Sequence, residues 1–186
     1  MSSHRILLIG CSGSGKSTLT RELAKKLDLP VLHLDRIWHA TNYDDDAKQF
    51  LRQTQLDFIA KNDYFIIDGN YTGTMDCRVP HANLIIWLQI PRRLAMYRII
   101  MRSIKCKFGI EQRIDMADEF RESFNREYFE FLKFVWNFEK NSTPRIKAVL
   151  EHKAEDCRLV VIKNKKDQDV LLKQLVGKIA DESTIY

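Results

Sequence analysis

Short apolar blocks alternate along this chain with longer stretches whose apolar positions recur every three or four residues. Arg5-Ile6-Leu7-Leu8-Ile9 is the first block. An unbroken apolar run of this length reads as a strand buried on both faces. A helix is predicted to begin near Lys16, with Leu19, Leu23 and Leu27 as one stripe and Pro30 marking its end. Val31-Leu32-His33-Leu34 reads as a second strand, with Asp35 at its end. Asp44 to Ala60 reads as a helix, with Phe50, Leu51 and Phe58 among its apolar positions. Tyr64-Phe65-Ile66-Ile67 is a third strand ending at Asp68-Gly69, and Leu84-Ile85-Ile86-Trp87-Leu88 a fourth. Pro91 suits the first turn of a following helix. On that helix Leu94, Tyr97, Met101 and Ile104 share one face, and Arg98, Arg102 and Lys105 another. Leu159-Val160-Val161-Ile162 is a fifth strand, and Val170 to Ile179 a closing helix.

Strands alternating with helices imply an α/β protein, a parallel sheet with helices on both faces. The stretch from about 105 to 150 holds no strand pattern and reads as a helical insertion, a lid or a substrate-binding part. No internal repeat, low-complexity tract or linker divides the chain, so one domain over 1–186 is expected.

Composition narrows the partners. Hydrophobic residues are 45% and charged residues 30% of the chain, a folding rather than a disordered profile. No apolar run approaches the roughly 20 residues a membrane span needs. The N-terminus shows no signal-peptide pattern, so a cytoplasmic location is expected. Cys11, Cys77, Cys106 and Cys157 are too far apart in sequence for a CxxC motif and are expected to be free thiols. The formal net charge of +5 favours anionic partners without choosing among nucleotides, nucleic acid and acidic proteins.

The residues after the first strand are more specific. Gly10-Cys11-Ser12-Gly13-Ser14-Gly15-Lys16-Ser17 matches G-x-x-x-x-G-K-[ST] at every fixed position, between a strand and an amphipathic helix. Such a loop must wrap its N–H groups around phosphate oxygens, and Gly10, Gly13 and Gly15 allow the dihedrals and close approach this needs. The start of the helix adds its partial positive charge. ATP or another nucleoside triphosphate is therefore expected on Gly10, Ser12, Gly13, Ser14, Gly15, Lys16, Ser17 and Thr18. Lys16 is expected on the β- and γ-phosphates and the Ser17 hydroxyl on Mg²⁺. Cys11 lies within the loop, where helix charge could lower its pKa or where it simply fills a position.

Ligands of open parallel sheets bind at the carboxyl ends of the strands. Asp35 and Asp68 both stand there. Asp68 fits a carboxylate that holds Mg²⁺ through water, with Gly69 leaving room for a bound group; the alternative is a loop-capping aspartate. Asp35 fits a base or orienting group for an acceptor hydroxyl, or a helix cap. His33 reads as structural, and Trp38 as either a cover over substrate or ordinary packing. Arg98 and Arg102 suit a transferring phosphoryl group or stacking on adenine, or form a solvated basic face. Asn164-Lys165-Lys166-Asp167 matches the letters of a guanine-reading motif and is read as coincidence.

Taken together, the phosphate loop, His33-Leu34-Asp35 with Trp38, Ile67-Asp68-Gly69-Asn70-Tyr71, and Pro91-Arg92-Arg93 with Arg98 and Arg102 resemble the bacterial DNA topology modulation (FlaR-related) proteins. So do Asp115-Met116-Ala117, the run from Phe131 to Phe138, and Pro144-Arg145. That group is similar to adenylate kinase and other small-molecule P-loop kinases. The resemblance implies a three-layer P-loop NTPase fold with a five-stranded parallel sheet and a mobile helical lid. It gives Arg98 an adenine-stacking role, Arg102 a phosphate role and Arg113 a lid role. The sequence departs from adenylate kinase after Asp68-Gly69, where Asn70-Tyr71 replaces Phe-Pro-Arg. Arg78 is the expected substitute for the missing arginine. Asn83 and Gln89 stand where acidic residues are common in the topology modulation group.

The expected activity is γ-phosphoryl transfer from ATP–Mg²⁺ to a small acceptor of nucleoside or nucleotide type lying near Asp35, Trp38, Gly69 and Arg78. The alternative is a nucleotide-dependent regulatory protein acting on DNA, which the charge allows but no DNA-reading motif supports.

Overall fold

The computed structural model describes residues 4–108 and 125–183. Strands β1 (Arg5–Gly10), β2 (Val31–His33), β3 (Phe65–Asp68), β4 (Leu84–Leu88) and β5 (Arg158–Ile162) form one sheet in the order β2-β3-β1-β4-β5. Every pairing is parallel. Parallel neighbours need crossover connections. These are supplied by α1 (Lys16–Leu27), α2 (Leu34–Trp38), α3 (Asp45–Lys61), α4 (Arg92–Lys107), α5 (Arg126–Trp136), α6 (Phe138–Asn141) and α7 (Thr143–Leu150). Two 3-10 turns, Thr72–Cys77 and Val79–His81, lead from β3 to β4, and α8 (Lys165–Ser183) closes the chain.

Side chains on a strand point alternately to opposite faces, and the core divides on that period. Ile6, Leu8, Ile66, Leu84, Ile86 and Leu88 face α1 and α8, meeting Leu19, Leu23, Leu171, Leu172 and Leu175. Leu7, Ile9, Phe65, Ile67, Ile85 and Trp87 face the other way, onto Leu34, Leu51, Met75, Val79, Phe138, Ile146 and Leu150. The expected three-layer α/β architecture is the observed one. The second half of the stretch expected as an insertion therefore belongs to the core, because α6 and α7 supply Phe138, Ile146 and Leu150 to it.

Three local expectations change. Leu34 opens α2 rather than ending β2. Its side chain turns inward beneath Gly69, where a Cβ would stand 2.8 Å from the Cβ of Leu34, so the room Gly69 was expected to leave for a bound group is taken by Leu34. The closing helix starts at Lys165, five residues before Val170. There the Asn164 side chain accepts from Asp167 N–H at 3.0 Å, and the Asp167 carboxylate accepts from Lys163 N–H at 2.8 Å. Two side chains thus cap the helix start reciprocally, which gives both motif letters a structural use.

The third change concerns α4. Its buried residues are Ala95, Ile99 and Ser103, while Leu94, Tyr97, Met101 and Ile104 are exposed. The cause is close approach. A Cβ at Gly13 would lie 2.6 Å from the Ala95 carbonyl oxygen. The missing side chain of Gly13 lets the Ala95 turn of α4 come that near the phosphate loop, with Ile99 packed beside it, so this contact selects the inner face. Ala95 and Ile99 form a separate small core with Val135 of α5, against which Cys11, Phe131 and Leu132 pack.

Candidate functional site

The carboxyl ends of β1, β2 and β3 meet at one edge of the sheet, with Asp68 in register with both Leu8 and His33. From Gly10 the chain leaves β1 and winds into α1 through three glycines at positive φ: Gly10 at 148°, Gly13 at 75° and Gly15 at 98°. Gly15 is the N-cap of α1 and no side chain caps that end. The first-turn N–H groups of this twelve-residue helix are met by no capping side chain.

Lys16 bends back across the loop. Its Nζ donates to Gly10 O at 2.9 Å and Cys11 O at 3.2 Å. Ser12, Gly13, Gly15 and Ser17 are half-buried, Thr18 is exposed and Ser14 is buried. Ser14 Oγ has no hydrogen-bond partner. The Cys11 thiol is pushed up to about 11 by burial, which outweighs the lowering effect of Lys16. Between the two uses its position allowed, the thiol is a packed one, set against Val135 O at 3.9 Å.

Asp68 is buried at the end of β3. One carboxylate oxygen lies 3.3 Å from His33 Nδ1, and Oδ1 has no hydrogen-bond partner. His33, expected to be structural, is thus a neighbour of this carboxylate. A buried, unsatisfied acceptor is costly without a ligand or cation to meet it.

Arg98 reaches from α4 to the loop, its Nη1 donating to Ser14 O at 3.2 Å. The helix expected to bring an arginine to the phosphates therefore touches the phosphate loop itself. Arg102 is half-buried one turn further along α4. Arg92 lies over the Trp136 ring at 4.2 Å, tying the start of α4 to the end of α5. Arg113 and Asp115-Met116-Ala117 lie outside the described residues.

On the β2 side, Asp35 sits in the first turn of α2, and its Oδ1 accepts from Tyr71 OH at 2.8 Å. The Tyr71 hydroxyl is held well above its usual pKa, by burial first and by Asp35 second. Trp38 stands with its ring 5.7 Å from those of both Tyr71 and Tyr43. A carboxylate beside aromatic faces is thus assembled from two segments of chain.

Arg78 is placed differently from the expectation. It is fully buried. Nη1 donates to Gln55 Oε1 at 2.6 Å, and Nη2 donates to Gly69 O at 3.0 Å and to Asn70 O. Burial pushes its guanidinium down to about 10, so it stays charged at neutral pH. Its charge is spent on holding the loop after β3, and in this structure it does not present itself to an acceptor. Sequence reasoning passed over Gln55, and it named Asn70 and Tyr71 without giving them a role. The one signal in the sequence was a glutamine at an inward position of α3, between Leu51 and Phe58.

Asn83 bears on neither phosphate nor metal. Its Oδ1 accepts from Arg5 N–H at 2.9 Å, at the opposite edge of the sheet, where β1 and β4 begin.

No known family's profile matches the sequence. None of the curated proteins matches it either. Solved structures do match in shape. The chain superposes on shikimate kinase from Acinetobacter baumannii with a TM-score of 0.56 and 15% identity, covering 97% of this chain and 95% of that one. It superposes on shikimate kinase from Bacteroides thetaiotaomicron with a TM-score of 0.55 and 16% identity, covering 94% of this chain and 98% of that one. The chain shares the fold of these two shikimate kinase structures.

Proposed function

We propose that this chain is an ATP–Mg²⁺-dependent kinase that transfers the γ-phosphoryl group to a small acceptor of nucleoside or nucleotide type. The observation that carries the reading is the phosphate loop wound between β1 and α1 with Arg98 laid against it. The shared fold with shikimate kinases adds support.

In this reading Lys16 turns from its loop carbonyls to the β- and γ-phosphates, while the loop's N–H groups and the start of α1 hold the chain of phosphates. Ser17 and Asp68 are the residues that would hold Mg²⁺, and the unsatisfied Oδ1 of Asp68 suits a cation or its bound water. Mg²⁺ would neutralise charge on the phosphate oxygens. Among the described residues no cluster of three or more His, Cys, Asp and Glu side chains forms, so the nucleotide would complete the coordination.

The acceptor lies near Asp35, Trp38 and Gly69. An acceptor hydroxyl attacks the γ-phosphorus, the bond to the β–γ bridging oxygen breaks, ADP departs, and Asp35 takes the hydroxyl proton. A phosphate acceptor needs no such base, because phosphoryl transfer relies on positioning and charge stabilisation. Arg98 and Arg102 stabilise charge on the transferring group. Cytoplasm suits this chemistry and the four free cysteines. Among the described residues no helix is long and apolar enough to cross a membrane.

The test is thermal stability with Mg²⁺ and a nucleotide panel, then nucleosides and nucleoside monophosphates added beside ATP, followed by transfer of radiolabel from γ-labelled ATP. Ligands of the native state raise its melting temperature by mass action. The expected result is a rise with ATP that grows with one acceptor class, and label transfer abolished by Lys16→Ala. Transfer that survives Lys16→Ala would sink the reading. The topology modulation resemblance is tested in the same preparation. Salt-sensitive duplex binding would favour the regulatory alternative, since phosphate contacts release counterions.

A further inference from the structure

The phosphate loop is held from outside by a residue that no nucleotide-binding pattern includes. Asn70 follows Gly69 at the end of β3. Gly10 N–H donates to Asn70 Oδ1 at 2.8 Å, and Asn70 Nδ2 donates to Gly10 O at 2.5 Å. A side-chain amide, in one orientation, offers the acceptor and the donor that meet both the N–H and the C=O of one residue. A carboxylate would set oxygen against oxygen at the Gly10 carbonyl.

Asn70 is itself anchored. Its backbone carbonyl and that of Gly69 accept from the buried Arg78. Arg78 is held in turn by Gln55, whose Nε2 donates to Leu51 O at 2.9 Å and to Thr74 Oγ1 at 3.0 Å. On its other side Gly10 presses on β4, where a Cβ would come 2.6 Å from Leu88 O. Gly10 is thereby pinned between β4 and the segment that follows β3.

The Gly10 carbonyl has a second donor, Lys16 Nζ at 2.9 Å. We propose that Asn70 is a positioning residue of the phosphate loop, keeping the Gly10 peptide in place when Lys16 leaves it for a bound phosphate. The proposal rests on the nucleotide-binding reading of the loop. Lys16 has one ammonium group, and contact with phosphate takes it from the loop carbonyls. With Asn70 present the Gly10 carbonyl keeps a donor throughout. Without Asn70, nucleotide binding leaves that carbonyl bare, and the cost of an unmet buried acceptor falls on affinity.

The test compares wild type, Asn70→Ala, Lys16→Ala and the double variant, melted without ligand and titrated with fluorescent mant-ATP in Mg²⁺. Without ligand, each single substitution leaves Gly10 O one donor and the double leaves none. The double is therefore expected to lose more melting temperature than the two singles added together. With nucleotide, Asn70→Ala is expected to weaken mant-ATP binding roughly ten- to a hundredfold. Asn70→Asp is expected to weaken it at least as much. A residue that merely stabilised the fold would give additive melting losses and leave affinity unchanged, and either result overturns the proposal. Should the double variant fail to fold, the affinity of Asn70→Asp decides alone. Wild type that does not bind mant-ATP overturns the nucleotide reading and this proposal together. Wild type that binds beside an equally tight Asn70→Ala overturns only the positioning role.

Discussion

Gly13→Ala puts the contact between the phosphate loop and α4 to a direct test. Gly13 has φ +75°, and an added Cβ would meet the Ala95 carbonyl oxygen at 2.6 Å and Ile99 Cγ1 at 3.0 Å. The left-handed conformation alone costs an L-residue about 1 kcal/mol or slightly more. The clash falls on helical backbone, which cannot rotate aside, so α4 must retreat from the loop. That loosens Ala95 and Ile99 against Val135 and moves Arg98 from Ser14 O, 3.2 Å away. Overpacking of this kind costs roughly 1–3 kcal/mol. The two together give about 2–4 kcal/mol, or a melting temperature lowered by roughly 5–15 °C for a chain of this size. Gly73→Ala is the control, because a Cβ there meets nothing within 4 Å. It should melt within about 2 °C of wild type, as surface changes away from special features do. Thermal unfolding followed by circular dichroism measures both, and mant-ATP titration reads the loop. A Gly13→Ala protein that melts with wild type and binds nucleotide equally well would refute the argument that close approach selects the inner face of α4.

Two further outcomes follow from the geometry. At pH 8 a Cys11 thiol with a pKa of about 11 is ionised in about one molecule in a thousand, so iodoacetamide should label it far more slowly in the native chain than in urea. Its pKa is raised on folding. The associated stability is therefore full below the unfolded value and is lost as pH climbs toward 11, and equal labelling in both states would contradict the burial assigned to it. Asn164→Ala should lower stability by about 1 kcal/mol through loss of the α8 cap, measured by urea denaturation, with no change in the relative affinity for ATP and GTP. A selective loss of GTP binding would restore the guanine-reading meaning of Asn164-Lys165-Lys166-Asp167.

The buried face of α4 and the place of Arg78 were out of reach of the sequence for one reason. Hydrophobic period reports which face is apolar, but the partner decides which face is buried. Where α4 meets the phosphate loop, Ala95 and Ile99 fit against Gly13, and Leu94, Tyr97, Met101 and Ile104 stayed outside. Arg78 was legible as a cation near the acceptor. That its three partners are Gln55 and the carbonyls of Gly69 and Asn70 required the loop after β3 to be folded.

The sequence by itself determined the strands, their parallel α/β arrangement and the phosphate loop. Those features are written in consecutive residues: apolar runs make buried strands, and Gly10, Gly13 and Gly15 permit the positive-φ turn from β1 into α1. Tertiary structure alone decided the clasp of Asn70 on Gly10, the bond from Tyr71 to Asp35 and the seat of Arg98 on Ser14. These pairs lie 60, 36 and 84 residues apart. No local propensity specifies such bonds: the first needs β3 paired with β1, the second β2 paired with β3, and the third α4 docked against the loop between β1 and α1.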